Sequence, residues 1–225
     1  MDLVDVWPLF RLRLSTPRLE LRLLRDDDLP GLVEAARAGI HDPARMPFAQ
    51  PWTDAPADEM VRGLVQHQWR QRAALASDDW SLNLVVRRDG VPIGMQDLAA
   101  RRFPVLRTVE TGSWLTSSRH GDGLGTEMRA AALTFAFDHL GAEVAVSSAA
   151  EWNTASIGVS RRLGYVDNGV SRAAPRGEVE SEQHLRLERD AFVRPPWSLR
   201  VDGAEEARRA LGVEAAPHRR QDALH

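Results

Sequence analysis

The sequence predicts a mixed α+β fold, on three observations. Short segments alternate apolar and polar residues with the period of two of a half-buried strand, as in Leu19, Leu21 and Leu23 against Glu20 and Arg22. Asp89 and Gly90 stand between two such segments and form a strong hairpin signal, because both tolerate the positive φ that a tight turn needs. Leu124, Met128, Ala131 and Phe135 then recur at spacings of four, three and four, which is one face of a helix.

The elements follow in order. Residues 19–24 form the first strand. Asp26, Asp27 and Asp28 supply capping carboxylates to a helix carrying Leu29, Leu32, Val33 and Ala36. The loop from His41 to Pro56 holds four prolines and is too proline-rich for regular structure. A helix is expected over 57–76, with Met60, Leu64, Trp69 and Leu75 toward the core. Residues 82–86, 91–98 and 107–115 are the second to fourth strands, an antiparallel meander. The long helix that follows has its apolar surface widened by Leu133, Phe137 and Leu140 and ends at Gly141. A fifth strand at 143–148 leads to a short helix from Asn153 to Leu163, striped by Ala155, Val159 and Leu163. Strands are expected from Tyr165 and over 183–191, and a short helix over 204–211. The order β-α-α-β-β-β-α-β-α-β-β holds no internal repeat. Residues 1–200 read as one domain and 201–225 as an extension, polar and loosely ordered at its end.

Composition narrows the function classes. The 225 residues are 43% hydrophobic and 27% charged, enough for one substantial core. A net charge of −3 and a pI near 6.2 argue against a nucleic-acid partner. Cysteine is absent, which removes disulfides, a thiol nucleophile and Cys metal ligands, and the seven His lack short metal-binding spacing. No metal is therefore expected. No apolar run approaches 18 residues and the N-terminus is acidic, so the expectation is a soluble cytoplasmic protein without a membrane span or signal peptide.

The segment His120-Gly121-Asp122-Gly123-Leu124-Gly125-Thr126 joins the fourth strand to the long helix. Free N–H groups and the helix dipole at such a junction favour an anion, and glycines let the backbone close on a phosphate. Three glycine loops compete. A P-loop requires Lys, and the chain has none. A dinucleotide loop requires G-x-G-x-x-G, and the spacing here is G-x-G-x-G. The coenzyme A loop, [Q/R]-x-x-G-x-[G/A], fits in spacing, with His120 replacing the usual first residue. A plain strand-to-helix turn has the same outline.

Four segments in order then resemble the GNAT acyltransferase superfamily, in its RimL-type (ribosomal-protein N-acetyltransferase-like) branch. They are Thr16-Pro17-Arg18-Leu19-Glu20-Leu21-Arg22, Gly94-Met95-Gln96-Asp97-Leu98, Gly112-Ser113-Trp114-Leu115 through Thr126, and Asn153-Thr154-Ala155-Ser156 through Tyr165. The chain also looks similar to an actinobacterial subgroup that includes succinyl-CoA enzymes. The resemblance implies a mostly antiparallel sheet flanked by helices, with a V-shaped split between the fourth and fifth strands. Acyl-CoA would lie in that split, with its pantetheine arm against the backbone near Trp114, Leu115 and Thr116. Its pyrophosphate would lie on the loop from His120 through Gly121, Asp122, Gly123, Leu124 and Gly125 to Thr126. Asp122 departs from the pattern, since a basic residue is common there, and Arg119 is expected to compensate.

The expected chemistry is N-acylation of a primary amine by acetyl-CoA or succinyl-CoA. A base must neutralise the ammonium before it attacks the thioester, and without Cys or Lys there is no acyl-enzyme of those types. Glu110, on the fourth strand, is the first candidate base, and Asp97 the second. Asn153 is expected to bind pantetheine, cap its helix, or both. The resemblance leads one to expect a Tyr on that helix to serve the thiolate. The one Tyr, Tyr165, lies past its end, so Ser156 is the candidate for the leaving group. Phe48 and Trp52 are candidates to line the acceptor site, and Arg102 or Arg107 to meet a succinyl carboxylate. The acceptor would be a protein N-terminus, a Lys side chain or a small amine. The competing reading is a non-catalytic CoA-binding regulatory or sensor module. A homo-oligomer, with a dimer contact after Leu199, is a further expectation.

Overall fold

A computed structural model describes residues 1–213. The chain opens with α1 (Leu3–Val6), β1 (Arg13–Ser15), β2 (Glu20–Leu23), α2 (Leu29–Arg37) and α3 (Ala57–Ala73). It continues through β3 (Asp79–Arg88), β4 (Val91–Arg101), α4 (Phe103–Leu106), β5 (Thr108–Leu115), α5 (Leu124–Thr134), β6 (Val144–Ala150) and α6 (Thr154–Arg162). The last elements are β7 (Val166–Ala173), β8 (Glu180–Glu188), β9 (Arg200–Asp202) and α7 (Ala204–Ala210). The strands form one nine-stranded sheet in the order β7-β8-β6-β5-β4-β3-β2-β1-β9.

Every pairing is antiparallel except β5 with β6. That exception makes the split. The parallel pair registers only from Thr108↔Val144 to Glu110↔Val146. Beyond it, β5 stays with β4 as far as Gly94↔Leu115, and β6 stays with β8 as far as Ala150↔Glu182. The vertex is closed by hydroxyls in place of ladder bonds. Ser147 Oγ donates to Thr111 O at 3.1 Å, and Thr111 Oγ1 lies 3.2 Å from the Tyr165 hydroxyl.

Each face of the sheet has its own core. Leu84, Leu98 and Val109 pack with Met128, Phe135 and Leu163 beneath α5 and α6, while Val85 and Met95 pack with Leu32, Val33 and Leu64 beneath α2 and α3. Strands β3 and β4 are covered on both faces, which explains their near-continuous burial. Asp89 (φ 51) and Gly90 (φ 79) make the expected hairpin turn. Helix α5 runs on through a π segment, Phe135–Leu140, and Gly141 ends it at φ 71.

Several expectations need correction. Trp69 is 49% exposed, and its Nε1–H donates to Asp26 Oδ1 at 3.3 Å. The buried side of α3 carries Leu64 and Gln68 instead. Asp28 precedes α2 without a side-chain capping bond; its carboxylate takes the Arg25 N–H at 3.1 Å and an Arg22 ion pair at 2.7 Å. The first strand is preceded by β1, whose free edge is covered by β9. Ala207 and Leu211 at the α7 end lie in the main core, and residues 214–225, including the expected loose end, fall outside the described residues.

Candidate functional site

The mouth of the split is a turn that only glycines make cheaply. Gly121 (φ 85) and Gly123 (φ 76) both occupy the left-handed region, and nothing lies within 4 Å of where a Gly121 side chain would begin. Leu124 opens α5 directly after Gly123. The first helical bond is Glu127 N–H to Gly123 O at 3.1 Å, so the N–H groups of Leu124, Gly125 and Thr126 precede it. This backbone suits a diphosphate, because successive unpaired N–H groups and the positive helix end share one concave turn.

The turn is braced from behind by a buried carboxylate. Glu127 Oε1 accepts from Thr16 Oγ1 at 2.6 Å and from the Arg18 N–H at 3.1 Å, and Oε2 pairs with the Arg18 guanidinium at 2.6 Å. Arg18 also donates to Asp122 O at 2.9 Å. The Asp122 carboxylate turns outward, with Arg88 at 3.9 Å. The guanidinium placed near the Asp122 carboxylate is that of Arg88, not Arg119. His120 does not face the turn: its Nε2 lies 2.9 Å from Leu115 O.

Strand alternation sorts the backbone of β5. Thr116 N–H donates to Ile93 O at 2.9 Å, which turns residues 112, 114 and 116 toward β4. Ser113 and Leu115 consequently present their backbone groups to the split. Of Trp114, Leu115 and Thr116, Leu115 alone turns its backbone toward the split, and its carbonyl is engaged by His120, which leaves its N–H. Asn153 caps α6, its Oδ1 accepting from the Ser156 N–H at 3.1 Å. Among the described residues the Ser156 hydroxyl makes no hydrogen bond.

Glu110 is exposed at the vertex, where the parallel pairing stops, and its carboxylate makes no hydrogen bond or ion pair among the described residues. Asp97 sits on the same face of β4, opposite Gly112 and one step from Glu110. Burial pushes its carboxyl up to about 7. Phe48 and Trp52 belong to a chain of rings, with centroids 5.4 Å apart and Trp52 6.1 Å from Trp114. Phe48 also lines a shallow open recess with Met46, Ala150, Glu180 and Glu182. Arg176 fastens this loop to the β7–β8 turn through Asp54 at 2.6 Å, and holds the Asp54 carboxyl below its usual range. Arg102 and Arg107 flank α4 at the start of β5, the end remote from the glycine turn.

One residue at this site was absent from the sequence reading. Arg129 is buried in α5, with no carboxylate partner among the described residues. Its guanidinium donates to Ser160 Oγ on α6 at 2.7 Å and to Ser113 Oγ on β5 at 3.2 Å, spanning the two arms of the split. The available signal was a pair of charges, Glu127 and Arg129, inside an otherwise apolar helical run. Among the described residues no group of three or more His, Cys, Asp or Glu is placed to hold a metal ion, and no helix is long and apolar enough to cross a membrane.

Known proteins match this arrangement. A family described as acetyltransferase (GNAT) domain matches residues 18–166. Mycobacterium smegmatis RimJ in complex with CoA-disulfide superposes with a TM-score of 0.65 at 18% identity, over 90% of this chain and 93% of that one. RimL, a ribosomal L7/L12 α-N-protein acetyltransferase in complex with coenzyme A, gives 0.63 at 18% identity, over 78% and 97%. A GNAT-family acetyltransferase from Bacillus anthracis gives 0.59 at 15% identity, over 79% and 99%.

Proposed function

The chain belongs to the GNAT acetyltransferase family, and from that premise we propose that it transfers an acetyl or succinyl group from acyl-CoA to a primary amine by direct attack. The observation that carries this reading is the parallel β5–β6 pair that separates after Glu110, with the positive-φ glycine turn at its mouth. We assign the N–H groups from Gly121 to Thr126 to the pyrophosphate, and the backbone of Ser113 with the Leu115 N–H to the pantetheine arm. Asn153 keeps its cap through Oδ1 and has its amide N–H₂ left for a cofactor carbonyl.

Glu110 meets the acceptor ammonium at the vertex and draws its proton directly or through water. The neutral amine attacks the thioester carbonyl, the C–N bond forms and the C–S bond breaks. Ser156, with its free hydroxyl at the start of α6, hydrogen-bonds the leaving thiolate. Phe48 and Trp52 shape the acceptor side, beneath the loop held by Arg176. The RimL neighbour's description names a protein α-amine, which makes peptide N-termini the first acceptors to try.

The test is calorimetric binding of acetyl-CoA and succinyl-CoA, followed by thiol release with a panel of peptide, lysyl and small amines. Micromolar binding (about −8 kcal/mol) and amine-dependent thiol release are expected. Failure of both acyl-CoAs to bind would remove the phosphate assignment and the enzyme reading with it.

A further inference from the structure

Asp97 is a half-buried carboxylate on the cleft face of β4 that no cation holds among the described residues. Asp28 is paired with Arg22 at 2.7 Å and Glu127 with Arg18 at 2.6 Å. The Asp97 carboxylate makes neither an ion pair nor a hydrogen bond among the described residues. Burying an unpaired carboxylate is unfavourable, and nothing in the local packing calls for one: its neighbours on β4 on that face are Met95 and Ala99. The carboxylate leans over Gly112, where an added Cβ would lie 3.7 Å from Asp97 Oδ2. Gly112 is exposed and sits just past the vertex. The bare glycine thus leaves the carboxylate an opening into the split, beside Glu110.

We propose that Asp97 is the final acceptor of the proton that leaves the attacking amine, with Glu110 or a water carrying it from the rim. This rests on the acyltransferase reading above. An N–H bond of the ammonium breaks and an O–H bond on Asp97 forms. The neutral amine then attacks. The second proton lost from nitrogen goes to the departing thiolate, and Asp97 returns its own proton to water after the amide leaves. Net release is one proton per turnover.

The surroundings suit that task. Asn83 and Ser81 face Asp97 from β3; the Asn83 amide is committed to Gln68 of α3 at 2.6 Å. From β5 it is faced by Gly112, Trp114 and Glu110, the last being the titratable neighbour. No charged group of α2 or α3 pairs with it, and His184 and Arg186 of β8 stand across β6. Burial is the sole cause of its rise to about 7, a proton affinity close to that of an efficient base at neutral pH.

The experiment compares wild type, D97N and E110Q in two readouts. The first is the pH profile of kcat/KM with acyl-CoA binding measured in parallel. Wild type should rise with unit slope through about pH 7, where burial places the Asp97 carboxyl. D97N should bind acyl-CoA within about twofold of wild type, lose about 100-fold in kcat and lose that limb. E110Q should keep the limb while raising the KM for the amine. The second readout needs no turnover: the carboxyl ¹³C resonance removed by D97N should titrate near 7 in the wild-type protein. A limb that survives in D97N, or a resonance titrating near 4, would overturn the proposal. Absence of turnover in wild type with every amine would instead count against the acyltransferase reading, and the resonance would still decide the proton affinity of Asp97.

Discussion

Replacing Asp97 by Asn should stabilise the protein in alkali and leave it nearly unchanged in acid. The Asp97 carboxyl binds its proton with a value of about 7 in the folded chain, against 3.8 ordinarily. Between those values the folded state holds a proton that the unfolded state has released. Stability therefore falls as pH rises through this window and is lowest above it. Roughly three pKa units at 1.36 kcal/mol each set an upper bound of about 4 kcal/mol. The opening over Gly112 lets water relax the charge, so about 2 kcal/mol is the expected gain for D97N above neutrality. Urea unfolding followed by Trp fluorescence, at about pH 4.5 and about pH 8.5, measures it. The midpoint of D97N should exceed that of wild type clearly at the higher pH and only slightly at the lower. A gain of equal size at both, or at neither, would refute the claim that burial raises this group.

Four further outcomes can be checked. Gly94→Ala would drive a Cβ into the Trp114 carbonyl oxygen and to 2.9 Å of Leu115 Cα; a loss of about 3 kcal/mol or more is expected in thermal unfolding. Gly112→Ala meets only ordinary contact distances at a strand residue without positive φ. It should keep stability within about 0.5 kcal/mol while lowering turnover, because its methyl covers Asp97. Arg18→Met leaves the Glu127 carboxylate, itself 6% exposed, with only neutral donors. A loss of about 2 kcal/mol and weaker acyl-CoA binding by calorimetry should follow, with Arg18→Lys recovering part of each. Asn153→Ala removes the bond to the Ser156 N–H and should cost about 1 kcal/mol, together with a higher KM for acyl-CoA.

Local signals were legible in the sequence. Asp89-Gly90, the glycine turn from Gly121 to Gly123, Gly141 and the Asn153 cap depend on neighbours a few residues away, and each stands where the pattern put it. Long-range pairing was not. Strands β1 and β9 have three residues each, too few to show a period, and they exist because each covers the other's edge. Trp69 was misplaced by a fitted apolar stripe; one position away, Gln68 turns inward because Asn83 of β3 offers it a partner. Asp28 reads as a helix cap until Arg22, six residues back, takes its carboxylate. The carboxylates at the split were visible as residue types, but their environments depend on which strands meet. Asp97 and Glu110 lie 13 positions apart in the chain and share one patch only through the β4–β5 register.

The span of Arg129 from Ser113 to Ser160 has a consequence for how a ligand is received. A buried guanidinium with two hydroxyl partners works as a spacer: it keeps β5 and α6 apart by the length of one side chain, and its desolvated charge resists closure of the gap around it. The separation of the arms is thereby set before any guest arrives. A ligand entering a gap held at this width would have little backbone to order, which keeps the entropic loss on association small. Shortening this spacer would turn a socket of standing width into one that each incoming molecule has to open for itself.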